Sequence, residues 1–152
     1  GRRLFKGRNL YVSGACLMAR EMAEEKRLGD YLLLDEQMVT SQVAVNLYAE
    51  AKQQKVVLVE AGVPWYLVDE ELELIPSGET ELALQTKNVL TQKEKQFMIE
   101  LDPLTGRLDR RCRLMLRIRF ESPSQCIVTI KDEGFGELFP TSNRIWEKQV
   151  EL

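Results

Sequence analysis

From about residue 36 onward, apolar side chains in this chain recur at every second position. The pattern is clearest in residues 111–120, where apolar residues alternate with arginines and one methionine, and it resumes in residues 126–130 after a turn. Because successive side chains of a β-strand point to opposite faces, a period of two predicts strands with one face in a core and the other in solvent. The rhythm therefore predicts a β fold for most of the chain.

Further stretches carry the same strand signals and are bounded by residues that favour turns. They are residues 43–48, 55–61, 70–75, 82–84 and 97–101. Short strands at this spacing, about seven or eight in all, are typical of an antiparallel β-sandwich. We therefore expect residues 36–152 to form one mainly β domain, with Trp146 in its core.

The segment before the sandwich has a different rhythm. Residues 10–28 have apolar side chains at helical spacing, with Asn9 as the N-cap and Gly29 as the C-cap. A run of aromatic and apolar residues follows, and we interpret it either as a buried strand or as a connector that docks elsewhere. Its residues are Tyr31, Leu32, Leu33, Leu34 and Asp35.

Composition excludes several classes of function. The chain has no histidine, so a Ser-His-Asp triad, a Cys-His pair and a His-ligated zinc are all absent. The net charge of -3 argues against binding to nucleic acid or to an anionic membrane. Three unclustered cysteines suit a reduced, cytoplasmic compartment. We expect a non-catalytic fragment of a longer protein, because the chain opens at Gly1 without an initiator Met.

Charged and glycine-rich stretches offer only weak sites. The acidic residues 69–73 lack the glycine-containing loop of a calcium site and indicate a solvated strand edge, so no metal site is predicted. Arg113, Arg117 and Arg119 share one sheet face, which we interpret as a partner-docking face or as a solvated face with carboxylates such as Glu100 opposite. Residues 134–136 predict a hairpin turn, because the stretch that follows, residues 137–140, does not open the helix that a phosphate-binding loop requires.

Four collinear pieces of the chain resemble heat-shock chaperones of the DnaK type. Residues 9–19 look like the Gly-Ala-bearing helix near the end of their nucleotide-binding domain, and residues 31–35 look like the apolar interdomain linker. Residues 61–64 match the strand break of the peptide-binding sandwich, and residues 114–136 match its last strands. A closer resemblance, through residues 62–66 and 132–140, is to an uncharacterised bacterial family of DnaK-like proteins.

The resemblance implies three parts: the last helix of an actin-like ATPase domain (1–29), a linker (30–35) and a substrate-binding-like sandwich (36–152). It implies a chaperone-like module that binds a peptide or protein segment under control of the missing ATPase domain, to which ATP and magnesium would belong. No cofactor is expected in this chain. The cleft positions of the family map to Asn46, Tyr48, Leu82 and Leu84, with Trp65 and Tyr66 close by.

Departures from the family leave a second function open. The arm at residues 49–54 is polar where the family has small and apolar residues, and we expect the sandwich to lack the family's helical lid. The alternative is a structural sandwich that holds a fixed protein partner through its arginine face. Aromatic residues at loop ends, Trp65 among them, either seal the sandwich or line a groove.

Overall fold

The structure, a computed structural model, describes residues 10–23, 34–49, 52–76, 80–101 and 112–152. The chain divides into a small N-terminal unit, Gly1–Leu33, and a larger unit, Leu34–Leu152. The larger unit therefore begins inside the predicted linker, of which Tyr31, Leu32 and Leu33 lie outside the described residues.

In the N-terminal unit the described residues form one helix, α1 (Leu10–Ala23). The described helix lies within the predicted range of residues 10–28, while the predicted continuation to Leu28 and both predicted caps fall outside the described residues. Among the described residues no helix has the length and hydropathy to cross a bilayer, since α1 has 14 residues and a spanning helix needs about 20.

The described residues of the larger unit form eight strands, which confirms the predicted mainly β class. They are β1 (Ser41–Ala49), β2 (Lys52–Val59), β3 (Asp69–Leu74), β4 (Glu81–Asn88), β5 (Glu94–Glu100), β6 (Leu114–Ser122), β7 (Gln125–Asp132) and β8 (Ile145–Glu151). They form two four-stranded sheets, in the orders β2-β1-β4-β5 and β3-β6-β7-β8. All strand pairs are antiparallel. Because residues of both sheets contribute to one core, the arrangement is sandwich-like.

The core forms where the inner faces of the sheets meet. On β6 the buried residues alternate with exposed or half-buried ones, as the period of two predicts, and Leu116 and Ile118 are at most 1% exposed. Their neighbours on β7, Val128 and Ile130, are fully buried. Burial of such side chains contributes roughly 1.5–3 kcal/mol each, so this layer is the main source of stability.

A β-bulge interrupts the pairing of β1 with β2. Val43 pairs with Val59 and Ala44 pairs with Val57, so Leu58 is the extra residue on β2. A bulge bends its strand and breaks the regular ladder of hydrogen bonds at that point. The regular part of β2 is therefore the segment 52–57.

The antiparallel order sorts the connections between strands into two ends of the sandwich. At one end, the hairpin end, β1, β3, β5 and β7 finish and β2, β4, β6 and β8 begin. The entry end contains residues 34–40, the connections β2–β3, β4–β5 and β6–β7, and the C-terminal Leu152. Strand β1 joins the ends, and its nine residues span about 30 Å.

Backbone hydrogen bonds hold the first residues of the unit to the entry end. The N–H of Val39 donates to the carbonyl of Val63 at 2.9 Å, and the N–H of Gly62 donates to the carbonyl of Val39 at 2.8 Å. Asp35 precedes this pairing and accepts a 2.8 Å hydrogen bond from the N–H of Gln37. Leu34 and Asp35 lie outside the strands, whereas Val39 is fully buried.

Candidate protein-binding surfaces

The residues predicted to line a peptide cleft lie at two opposite ends of the sandwich. Asn46 and Tyr48 are in the half of β1 that leads to the hairpin end, and Leu82 lies at the start of β4 at the same end. Trp65 and Tyr66 belong to a short 3₁₀ helix at the entry end. A single cleft cannot contain both groups, because the length of the strands separates them.

Leu82 and Leu84 face the same side of β4 but differ in depth. Leu84 lies between Val45 of β1 and Phe97 of β5, and it is 1% exposed. It is therefore a core residue, and its predicted role in a cleft is corrected. Leu82 is partly buried and packs against the edge of the core, as Leu47 does on β1. Among the described residues, both leucines are partly exposed near the hairpin end of the inner faces.

The aromatic pair closes the entry end. The rings of Trp65 and Tyr66 meet edge to face, with centroids 5.8 Å apart and an interplanar angle of 86°. Trp65 is partly buried against the core, and its backbone N–H donates to the carbonyl of Gln37 at 3.0 Å. Tyr66 is 57% exposed. Of the two predicted roles for Trp65, the packing favours sealing.

The arginine face is paired within the molecule by the edge strand β3. Arg117 donates two hydrogen bonds to Asp69, from Nε at 2.6 Å and from one terminal nitrogen at 2.5 Å, and its Nε lies 3.5 Å from Glu71. Arg113 lies 3.7 Å from Glu73. Glu100, predicted to oppose the arginines, instead pairs with Glu81 in the other sheet. Carboxylates do lie opposite arginines, as predicted, but they belong to β3 and do not include Glu100.

This pairing shifts the acidity of both groups. The hydrogen bond and the charge of Arg117 hold the pKa of Asp69 below its ordinary value of 3.8, although partial desolvation opposes the shift. The same hydrogen bond raises the pKa of Arg117. Both side chains are nearly half exposed, at 47% and 41%, and exposed pairs of this kind contribute little to stability. The arginine face is thus a solvated surface on which Arg113 and Arg117 pair with carboxylates of β3.

The outer face of the β2-β1-β4-β5 sheet has an open concavity of about 270 Å³. Ala44, on this face of β1, is 1% exposed because longer neighbours surround it. Lys87 forms an ion pair with Glu94 at 3.2 Å across the concavity. The lining is polar and consists of Lys55, Gln85, Thr86, Lys87, Glu94, Lys95 and Gln96.

A buried carboxylate organises the connection between β7 and β8. Asp132 is fully buried and accepts hydrogen bonds from the N–H groups of Gly134 at 2.9 Å and Ser142 at 2.8 Å. The connection holds two exposed apolar residues, Phe135 and Leu138, which are 51% and 86% exposed. The sequence predicts a turn here but gives no sign that Asp132 is buried, because an aspartate before a glycine is typical of any solvated turn.

Residues 38–152 match the family model of a domain of unknown function, DUF8552. The chain belongs to the DUF8552 family. No curated protein matches the chain. The match covers all eight strands and leaves the N-terminal unit outside it.

The described part of the DUF8552 domain contains no cluster of three or more metal-ligating side chains. Its carboxylates on β3 face arginines, as described above. Cys112 and Cys126 are buried, and burial raises the pKa of the Cys126 thiol to about 11. The reactive form of cysteine is the thiolate, so Cys126 is a poor nucleophile at neutral pH.

Proposed function

We propose that the DUF8552 domain is a chaperone-like module that binds a peptide or protein segment at the hairpin end of its sandwich. In this proposal the domain belongs to a DnaK-like protein, and an upstream ATPase domain controls the binding. The observation that supports it is the position of Leu47 and Leu82, which are partly exposed where the two inner faces open at one end.

The hairpin end has the parts that a peptide site of this kind requires. β1 ends and β4 begins at this end of the sandwich, and in this proposal the arms of the cleft lie beside them. An extended peptide between such arms gains affinity from backbone hydrogen bonds, and an apolar pocket beneath it adds selectivity. Leu47 and Leu82 would supply that pocket, with Asn46 of β1 as a polar contact.

Control by an ATPase domain requires a segment with two states. In the proposal this segment is the linker, which includes Leu34 and Asp35 and docks on the ATPase domain in one state. Backbone hydrogen bonds join residues 37–39 to residues 62–65 and hold the start of the sandwich in place. In this proposal the linker moves up to these residues and no farther. Coupling of this kind is a difference in free energy between two sites, and it has to act in both directions.

The alternative proposal, a scaffold that holds a fixed partner through its arginines, rests on a narrower observation. Arg113 lies 3.7 Å from Glu73, a looser contact than the 2.5 Å pair of Arg117 and Asp69. A carboxylate on a partner could therefore compete for Arg113. Arg119, which is also exposed, lies on the same face, with Met115 and Arg117 between it and Arg113.

A peptide-binding assay tests the leading proposal. We expect a fluorescently labelled apolar peptide to bind the domain with micromolar affinity, and Leu82→Asp to weaken binding by about tenfold or more, since a charge replaces apolar contact. Tyr66→Asp is the matched control, because it places the same charge at the entry end. Leu84→Asp is unsuitable, since a charge at a core position unfolds the sandwich.

Two results would count against the leading proposal. One is the absence of binding to any apolar peptide by a domain whose circular dichroism shows an intact fold. The other is equal loss of binding in the Leu82→Asp and Tyr66→Asp variants. Loss of a partner from pull-down by the Arg113→Glu and Arg119→Glu variants, together with no peptide binding, would instead support the scaffold.

A further inference from the structure

Two neighbouring apolar side chains, Tyr66 and Leu67, are exposed at the entry end of the sandwich, by 57% and 62%. They belong to the short 3₁₀ helix, in which the N–H of Leu67 donates to the carbonyl of Pro64 at 3.0 Å. The N–H of Val68 donates to the carbonyl of Trp65 at 3.2 Å, and the ring of Tyr66 lies edge to face against that of Trp65. A tyrosine that is already ordered loses little conformational freedom on binding, so Tyr66 is a favourable contact residue.

Two exposed carboxylates lie beside this apolar pair. The N–H of Trp65 donates to the carbonyl of Gln37 at 3.0 Å, so Glu36 and Tyr66 are each one residue away from a direct backbone contact. Asp35 precedes Glu36, and both side chains are exposed. Asp35 accepts the N–H of Gln37 through Oδ1 at 2.8 Å, which fixes the position of its carboxylate. A carboxylate has about four acceptor positions, so Asp35 can accept further hydrogen bonds from a partner.

The charge around the apolar pair is negative. Residues 34–40 and 60–68, which build this part of the entry end, contain no lysine or arginine and three carboxylates, those of Asp35, Glu36 and Glu60. The arginines of β6 act on a different carboxylate, because Arg117 hydrogen bonds to Asp69 and the charge of Arg119 also lowers the pKa of Asp69. A basic partner is therefore the one that this surface favours.

The combination of an exposed ring, a leucine and carboxylates indicates which basic residue fits. A cation over the face of a tyrosine ring is attracted by the ring electrons. Arginine suits this position better than lysine, because its planar guanidinium group can stack on the ring and donate two hydrogen bonds to a carboxylate at the same time. Leu67 offers contact to an apolar side chain next to the arginine.

We infer that the entry end, through Tyr66, Leu67, Asp35 and Glu36, binds a partner protein segment in which arginine stands next to an apolar residue. The inference goes beyond the proposed function, because this surface lies at the end of the sandwich opposite Leu82 and selects a basic segment. The contact area is small, so the binding is weak and transient, with a Kd on the order of 100 μM.

The test uses the whole chain and a fluorescein-labelled peptide of about nine residues in which Arg, Leu and Ser repeat, and it measures binding by fluorescence anisotropy. A peptide with Gln in place of Arg should bind at least about tenfold more weakly, and one with Lys in place of Arg about threefold more weakly. Added salt should weaken the binding of the arginine peptide. Equal binding of the arginine and glutamine peptides would overturn the inference.

Variants of Tyr66 and Leu67 test the apolar pair. Tyr66→Phe keeps the ring and should leave binding of the arginine peptide within about twofold, whereas Tyr66→Leu should weaken it about three- to tenfold. Leu67→Gln should weaken it about threefold. Leu138→Gln is the matched control, because Leu138 is 86% exposed in the β7–β8 connection. Equal effects of Tyr66→Phe and Tyr66→Leu, or of the two leucine variants, would count against the site.

A second set of variants tests the carboxylates and separates the two proposed sites. Glu36→Gln should weaken the arginine peptide about threefold, while Glu137→Gln, which removes an exposed carboxylate from the β7–β8 connection, should not. Leu82→Asp should also leave this binding unchanged, so failure at the hairpin end and failure at the entry end give different results. Binding that is lost in Leu82→Asp but kept in Glu36→Gln and Tyr66→Leu would place the peptide elsewhere and refute the inference.

Discussion

Two glycines in the β7–β8 connection make a matched pair for testing how backbone packing stabilises this end of the sandwich. Gly134 and Gly136 both have positive φ angles, 67° and 71°. A side chain at either position therefore pays a similar cost for the left-handed conformation, about 1–2 kcal/mol. The two differ in the space around them, because a Cβ on Gly136 would meet nothing within 4 Å.

A Cβ on Gly134 would overlap the backbone. It would lie 2.6 Å from the carbonyl oxygen of Phe139 and 2.7 Å from the carbonyl carbon of Pro140, and it would also clash with the N–H of Thr141. These backbone atoms have little freedom to move, since the N–H of Phe135 donates to the carbonyl of Phe139 at 2.6 Å. Overpacking of this kind costs about 1–3 kcal/mol in addition to the conformational cost.

We therefore expect Gly136→Ala to lower the free energy of unfolding by about 1–2 kcal/mol and Gly134→Ala to lower it by about 2–5 kcal/mol. Urea denaturation followed by tryptophan fluorescence measures both, and a constant m-value checks that the unfolded state has not changed. Domains of this size have roughly 5–15 kcal/mol of stability, so both variants should still fold. Equal losses for the two alanine variants would refute the reasoning, because conformation alone would then explain both.

Two further substitutions test the charged groups. Asp132→Asn should lower the free energy of unfolding by about 2 kcal/mol. The amide oxygen can accept from only one of the N–H groups of Gly134 and Ser142, and the amide NH₂ then faces the other N–H group. An unchanged urea midpoint would argue against the buried role of this carboxylate. Asp69→Asn removes a carboxyl whose pKa is lower in the folded state than 3.8, so the stability advantage of the wild type over this variant should be present above that pH and fall as the pH drops through the folded pKa. Added salt should reduce the same advantage at neutral pH, and an advantage that persists unchanged at pH 2 would contradict the pairing with Arg117.

The period of two was sufficient to predict the class of fold and most of the strands. It failed for β8, whose sequence has a lysine at an inward position. Lys148 breaks the alternation because it serves the neighbouring sheet, where it binds the carbonyl of Met98. Trp146 and Val150 on the same strand do face inward, and Trp146 packs against the core as predicted. A pattern that considers one strand at a time therefore does not predict a residue, such as Lys148, that stabilises a contact between the sheets.

The candidate site was harder to predict, because alternation gives the face of a strand but not the depth of a residue along it. Leu82 and Leu84 share a face, and only the pairing of β4 with β1 and β5 shows that Leu84 is central. The same limit applies across strands, since the sequence does not show which strands are neighbours. Glu100 was therefore assigned to the wrong sheet, and the true partners of the arginines, on β3, lie much farther away in sequence.

The two ends of the sandwich place a physical condition on the proposed control by an ATPase domain. Leu34 and Asp35, the described residues of the predicted linker, lie at the entry end, while Leu47 and Leu82 lie at the hairpin end. β1 starts at the entry end and leads directly to Leu47. Its middle residues Val43 and Val45 are at most 1% exposed and pack in the core, and a closely packed core does not deform continuously but changes between discrete arrangements. Coupling between linker and peptide would therefore require β1 to shift as a unit against β4, and the bulge beside Val43 is the position at which its pairing with β2 can give way.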